Sequence, residues 1–565
     1  MSEKHSVGPD IGRSGEPAAS HAGPVTRREL LRLGAVGTAA LSGAGLLGVG
    51  LPAAYAAGRR AMAAAGGGTL IVGDFDVANS LDSEGPALDY VPNINAISAL
   101  NDPVIYNGYK KNPMGPGTTI DGATYTPMLA ESWKHNRDGS VWEFKVRKGV
   151  RSNHGHELTS ADFVYLFQRA SGLKGTGAFI FSFLMKVKAV RAVDKYTVQF
   201  VCTGPSPGVL PYISTSFPSM YVLDSTEVKK HATHADPWAG KWLAQNYAGF
   251  GPYELSNWTP GQSMEFTART DYWGPTPKFT TVKYLAIPNA SSRQASLSNG
   301  AIDIGLTMPQ QGITALLKDK KIRVFQYDGN YGVWLWPNEI VPGLKNVKVR
   351  QAMAYAIPYE QIISQVYAGR GRLPKTLFPD YVPYSDPSFW HYNTNPAKAL
   401  SVMKSSGQGP FTVPLSYPSG DPEMAEVAAV LQSAWAPLGI TLTLNADTES
   451  NLVTKQAGKN IPLMLADWDS PIAPDGIITT AFWTTGGALN NVHYSNKQFD
   501  ALYKAGADTF DPKKRAAIYK RAQQMMAETL PMILVALFNV TVPATQKVTN
   551  YTWYPDHAIR FQSVR

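Results

Sequence analysis

At 565 residues the chain exceeds what one hydrophobic core holds, so two or more domains are expected. Apolar residues make up 44% and charged residues 17%, which excludes a disordered or membrane-embedded chain. The net charge of +9 comes from scattered Lys and Arg without an arginine-rich helix or nucleic-acid motif, so it reads as a solvated basic surface, with no nucleic-acid partner.

Thr26-Arg27-Arg28-Glu29-Leu30-Leu31-Arg32 precedes a charge-free, Gly- and Ala-rich stretch from Leu33 to Gly58. Ala54-Tyr55-Ala56 within it is a small-x-small cleavage pattern, and residues 1–56 together resemble a twin-arginine export leader. The alternative is a transmembrane anchor, because the run exceeds the ~20 residues that span a bilayer. Its glycines and Pro52 make it weakly apolar and favour a cleaved leader. No cysteine stands near the cleavage site to be acylated, so a periplasmic protein is expected, not a lipoprotein. The one cysteine, Cys202, excludes an internal disulfide and any cysteine-based metal cluster. It reads as a buried, inert thiol in a strand.

Residues 57–68 read as a linker, and Thr69–Gly73 as a buried strand. Asp76 and Asn79 follow in a turn-rich stretch ending Ser80-Leu81-Asp82. Asp138-Gly139 is a hairpin signal, with Trp142, Phe144 and Val146 alternating onto one face. Thr159 to Asp162 forms a capping box whose helix turns Phe163, Leu166 and Phe167 inward. His154 and His156 could ligate zinc but have no acidic or cysteine partner at useful spacing, so two solvent-exposed histidines and no metal are expected.

From Asn246 to Leu306 the sequence reads as a strand meander, one helix and a return strand. Gly251-Pro252-Tyr253 and Pro260-Gly261 punctuate it, and Gly300 falls where a left-handed helix cap would. Tyr331 to Asn338 is a strand that places Trp334 and Trp336 on one face, lining either a pocket or a core. Asn346–Gly371 reads as two helices, the second starting at Pro358, with Arg350 anchoring a helix start. Thr412–Tyr417, Asp421–Leu438 and Ile440–Leu444 give strand, helix, strand, with Ala425, Ala428, Leu431 and Trp435 inward. Asp511-Pro512 caps a helix with Ile518, Ala522, Met525 and Met526 on one face, and Met532–Val542 is a long apolar strand.

These blocks together resemble a known family. G-P-Y, P-G, D-Y-W-G-x-x-P and S-x-G-x-I-D-I, in that order between Gly251 and Ile304, are similar to the family-5 solute-binding proteins of ABC importers, the dipeptide- and oligopeptide-binding class. The stretches Leu129–Ala170, Asn346–Gly371 and Asn490–Asn496 match further blocks of that family. The resemblance departs where Ser83 replaces the proline of S-L-D-P, at Arg151–His154, and at Pro471. That last position is where peptide-binding relatives carry the Asp of W-x-x-D that pairs with the peptide's α-ammonium.

The resemblance implies an α/β, two-lobed periplasmic-binding-protein fold of the class II, cluster C type, with an extra subdomain in the first lobe. Lobe I would span 69–320 with the insertion at about 100–245, lobe II 321–535, and 536–565 would return to lobe I. It implies a monomer that closes around a small solute, first of all a peptide or peptide-like compound. The solute would pass to an importer's permease and ATPase subunits, and the Tat translocase would be a partner during export. Asp76, Asn79, Trp334, Trp336, Asn338, Trp468, Asp469 and Asn491 are the candidate ligand contacts, with Asp469 or Asp467 standing in for the missing Asp. The alternative is a non-peptide solute: an oligosaccharide, an opine-like conjugate or a metal complex. No cofactor is expected. An enzyme is disfavoured because no G-x-S-x-G, P-loop, H-E-x-x-H or Cys-His pair in a plausible setting is present; a secreted hydrolase is the remaining reading.

Overall fold

The computed structural model describes residues 68–85, 90–214, 217–308, 310–376, 378–379, 381–469 and 473–565. The leader, nearly all of the linker and Pro471 therefore lie outside the described residues.

In the first half the strands are β1 (Gly68–Asp74), β2 (Ile105–Lys111), β3 (Thr118–Pro127), β4 (Ala130–His135), β5 (Val141–Val146), β6 (Val187–Asp194) and β7 (Thr197–Cys202). The predicted meander is β8 (Tyr253–Thr259), β9 (Ser263–Ala268) and β10 (Phe279–Ala286), followed by β11 (Ile304–Gly305). Then come β12 (Ile322–Pro337), β13 (Gly371–Arg372), β14 (Phe411–Pro418), β15 (Ile440–Asp447), β16 (Leu463–Asp469), β17 (Ile533–Thr545) and β18 (Thr552–Trp553).

Among the described residues the largest sheet has the order β15-β14-β16-β12-β17-β11-β1-β10-β9-β8, with β13 also pairing β17. Leu70, Ile71 and Val72 of β1 are all buried, as suits a strand held between parallel neighbours β10 and β11. Two large hydrophobic cores are present among the described residues, and the first reaches across to Tyr384, Ala507 and Tyr519 of the chain's second half. One gathers Val72, Phe144, Phe266 and Phe561; the other gathers Trp334, Leu415, Trp435 and Leu534.

Strands β12 and β17 run through both lobes. Ile322–Asp328 pairs with Thr545–Asn539 on the first-lobe side, and Gly332–Leu335 with Leu537–Ile533 on the second-lobe side. Between them Gly329, Asn330 and Tyr331 stand opposite Phe538 alone, a bulge that breaks the ladder where the lobes meet. A Cβ on Gly329 would lie 2.8 Å from the Phe538 carbonyl oxygen, so the crossing needs glycine there. Arg372 braces the bulge through the Asp328 carboxylate at 2.8 Å and the Gly329 carbonyl at 2.8 Å.

Several expectations change in detail. The helix after Pro358 runs three residues and continues as a π-helical turn, Ile362–Val366. On the helix Pro422–Trp435 the larger Met424 and Val427 join Ala428, Leu431 and Trp435 inside, leaving Ala425 half-buried. On Pro512–Thr529, Arg515 and Tyr519 take the inner face with Ala522, Met525 and Met526, and Ile518 is half-buried. The histidines do find acids. His156 Nδ1 lies 2.8 Å from Asp224, and His154 Nδ1 lies 3.9 Å from Glu227 on the helix Ser225–Lys230. Those partners lie about seventy residues away, beyond any local spacing signal. No group of three potential metal ligands occurs among the described residues. Cys202 is buried, and burial pushes its thiol up to about 11.

Candidate ligand-binding site

A cavity of about 450 Å³ lies between strands β3 and β5 and the segments carrying Tyr384, Pro474 and Phe510. From the first lobe it is walled by Tyr125 of β3, Trp142 of β5, Leu210 and Pro211; from the second by Tyr384, Pro474 and Phe510. Its size falls in the range of small-molecule sites, and its lining is mostly aromatic and prolyl.

The cavity lining carries Lys513 and a buried ion pair. Arg515 donates to both oxygens of Asp475, with Nη2 to Oδ1 at 2.9 Å, and its Nε donates to the Gly506 carbonyl at 2.9 Å. Both side chains are buried, and a buried charge persists only with such a partner. The Asp475 carboxylate also accepts the Ile477 amide at 2.8 Å, fixing the loop behind the cavity. Tyr384 stacks on Tyr519 at 4.6 Å, and burial with the Asp475 charge drives its phenol well above the ordinary tyrosine range. The Ile478 amide, from the second lobe, donates to the Tyr212 hydroxyl of the first at 3.1 Å.

The residues singled out from sequence fall in separate places. Asp76 and Asn79 line a different cavity of about 570 Å³ with Gln245, Asn257 and Trp258. There Asp76 accepts the Tyr90 hydroxyl at 2.6 Å, and the Asn79 side-chain oxygen accepts from Asn93 at 3.1 Å. Trp336 and Asn491 border one small recess with Ile461 and Met464. Trp334 and Trp336 are both buried in the second core, and Trp336 also borders that recess. Asn338 is fully buried; its amide donates to the Ile461 carbonyl at 3.0 Å and its oxygen lies 2.9 Å from His493 Nδ1. Trp468 and Asp469 belong to β16, opposite Gly332 and Tyr331 at the bulge; their side chains lie outside what is described. Asp467 accepts a hydrogen bond from the Tyr331 hydroxyl. None of these eight residues lines the 450 Å³ cavity.

Tyr125, Tyr384, Asp475 and Phe510 do, and the sequence reading singled out none of the four. The signals were weak: Pro383-Tyr384 and Pro474-Asp475 are loop dipeptides with no periodicity.

The model of bacterial extracellular solute-binding proteins, family 5, matches residues 124–490. The dipeptide-binding protein of Escherichia coli is 26% identical over 471 residues, covering 78% of this chain and 85% of that one. Among solved structures, DppA from Helicobacter pylori in complex with the peptide STSA superposes with a TM-score of 0.71 at 22% identity, covering 88% of this chain and 98% of that one. NikA from Brucella suis in complex with Fe(III)-EDTA superposes with a TM-score of 0.75 at 19% identity, covering 88% and 99%. At these identities the superpositions show a shared fold, that of two-lobed periplasmic binding proteins. The chain belongs to the bacterial extracellular solute-binding proteins of family 5.

Proposed function

We propose that this protein captures a peptide or peptide-like solute between its lobes and delivers it to the permease and ATPase of an ABC importer. The observation that carries the reading is the aromatic cavity contributed by both lobes, in a molecule whose main sheet runs through β12 and β17 across a bulge. A guest touching both walls stabilises the closed form by its differential affinity, with no bond made or broken. The dipeptide- and STSA-binding relatives support a peptide guest. Trp468, Asp469, Trp336, Asn338, Trp334, Asn491, Asp76 and Asn79 remain proposed contacts, and 69–320, 321–535 and 536–565 remain proposed lobe limits. Export through the twin-arginine route, a leader cleaved after Ala56, residence in the periplasm without a lipid anchor and a monomeric state belong to the same proposal. Among the described residues no helix is long and apolar enough to cross a membrane.

Titration calorimetry with a library of di- to pentapeptides tests the reading; micromolar binding to at least one is expected, and no heat with any of them refutes it. A second reading, a non-peptide solute, is favoured by Pro471 standing at the ammonium-anchoring position and by the Fe(III)-EDTA complex of NikA. Native mass spectrometry of the purified protein separates the two by the mass of what leaves on denaturation. Turnover of peptide or glycoside by clean protein would instead favour a hydrolase.

A further inference from the structure

A second junction between the lobes lies at the rim of the same cavity. Phe510 sits between the helix Lys497–Asp508 and the helix Pro512–Thr529 of the second lobe. Its ring meets two aromatic rings on the paired strands β4 and β5 of the first lobe, His135 at 4.5 Å and Trp142 at 5.7 Å between centroids. The surface it rests on is the hairpin turn at Gly139, where a Cβ would lie 2.5 Å from the Phe510 ring. Gly139 also has φ +72°, so the turn and the fit against Phe510 both call for glycine. Trp142 Nε1 donates to the Gly139 carbonyl at 3.0 Å, which holds the indole edge against the turn.

Beside this contact, Lys186 of the first lobe reaches the end of the second lobe's helix. Its ammonium donates to the Ala507 carbonyl at 2.6 Å and to the Asp508 carboxylate. A cation on a terminal carbonyl suits the negative end of that helix. Asp508 also pairs with Lys504 at 2.7 Å.

We propose that Phe510, seated on Gly139 between His135 and Trp142, and Lys186, bound to the end of the facing helix, form a latch that holds the two lobes closed. The proposal rests on the reading that the lobes hinge about β12 and β17. Both contacts join residues more than three hundred positions apart, across the lobe boundary and away from the hinge. One aromatic cluster and one half-buried ion pair change an equilibrium only several-fold each, enough to bias closure while leaving it reversible. Phe510 and Lys186 are positioning residues in this scheme.

Distance measurement between nitroxide labels on Arg191→Cys and Lys404→Cys, in the full chain without added solute, tests the latch. Cys202 is buried and stays unlabelled. The parent is expected to give a short distance beside a longer one, on protein whose native mass shows no bound guest. Phe510→Ala should shrink the short-distance share and lower the closed-to-open ratio about three- to tenfold. Lys186→Met should shift it the same way, and Phe510→Leu should recover part of the closed population. Distributions of Phe510→Ala and Lys186→Met that superimpose on the parent overturn the proposal, as does a parent at the longer distance alone. A lowered melting temperature with unchanged distances would make Phe510 a packing residue and likewise overturn it. Because no solute is added, none of these outcomes depends on whether the guest is a peptide.

Discussion

Asp102 is where the D-Y-W triplet does its structural job. The Tyr272 hydroxyl and the Trp273 indole N–H both donate to one Asp102 oxygen, at 2.8 and 3.0 Å, and the Arg147 guanidinium lies 4.6 Å over the Trp273 ring. Burial pushes the Asp102 carboxyl up to about 7, against the pull of those two donors and of Arg269 and Arg147. The native carboxyl therefore keeps its proton at pH values where the unfolded chain has lost it. From this group stability falls as pH rises from about 4 to about 7 and is level above. Glu84, raised by burial to about 7, acts in the same direction over the same window. Glu227 acts oppositely: Lys230 draws its carboxyl down to about 2, against a small desolvation, and His231 helps, so its contribution is present above about 4.5 and fades in acid. Asp102→Asn keeps an acceptor for both donors and should flatten the Asp102 share of the slope. Urea denaturation at pH 4.5 and 7.5 checks this, and an unchanged difference between the two pH values would contradict it. The triplet itself was legible in the sequence. Its partner lies 170 residues away, and no local period reports such a pairing.

At the scale of elements, what is locally encoded was readable. Thr159 accepts the Ala161 amide at 3.3 Å, Asp162 accepts the Thr159 amide at 2.8 Å, and the capping box opens the helix Ser160–Leu173 as its four residues imply. Thr159→Ala should cost about 1 kcal/mol, read as a lower denaturation midpoint at unchanged m-value. The hairpin at Gly139, the meander and the left-handed Gly300 at φ +77° were legible for the same reason, since turn chemistry sits within a few residues. Arg350 was also read correctly as a structural anchor, donating to the carbonyls of Leu344 and Thr529 at 2.6 and 2.7 Å. The bulge in β12 and the π-turn after Gln361 were not legible, because packing against other elements sets both. The cavity between the lobes was illegible for a related reason. Tyr125, Tyr384 and Phe510 come from three loops and strands whose meeting depends on the whole fold, and an aromatic in a wall has the same sequence signature as one in a core.

At the scale of the molecule, the chain after β17 packs into the first core. Phe561 is fully buried against Tyr253, Phe266 and Tyr284, and the Ile559 amide donates to Asn95 at 2.9 Å. Phe561→Ala should cost about 3–5 kcal/mol in the first lobe, a change scanning calorimetry would record as a separate, lower transition. A full-chain melting profile indistinguishable from the parent would show that this end of the chain is dispensable.

The pairing of β11 with β17 carries a consequence for how the protein is made. Asp303 and Thr545 are 242 positions apart, yet the Thr545 amide donates to the Asp303 carbonyl at 2.8 Å and β17 supplies the neighbour that β11 requires. A ribosome must therefore synthesise the second lobe while the first waits with an apolar strand edge uncovered. Such an intermediate is prone to stick to its own kind, and a holding chaperone would have most to do in that interval.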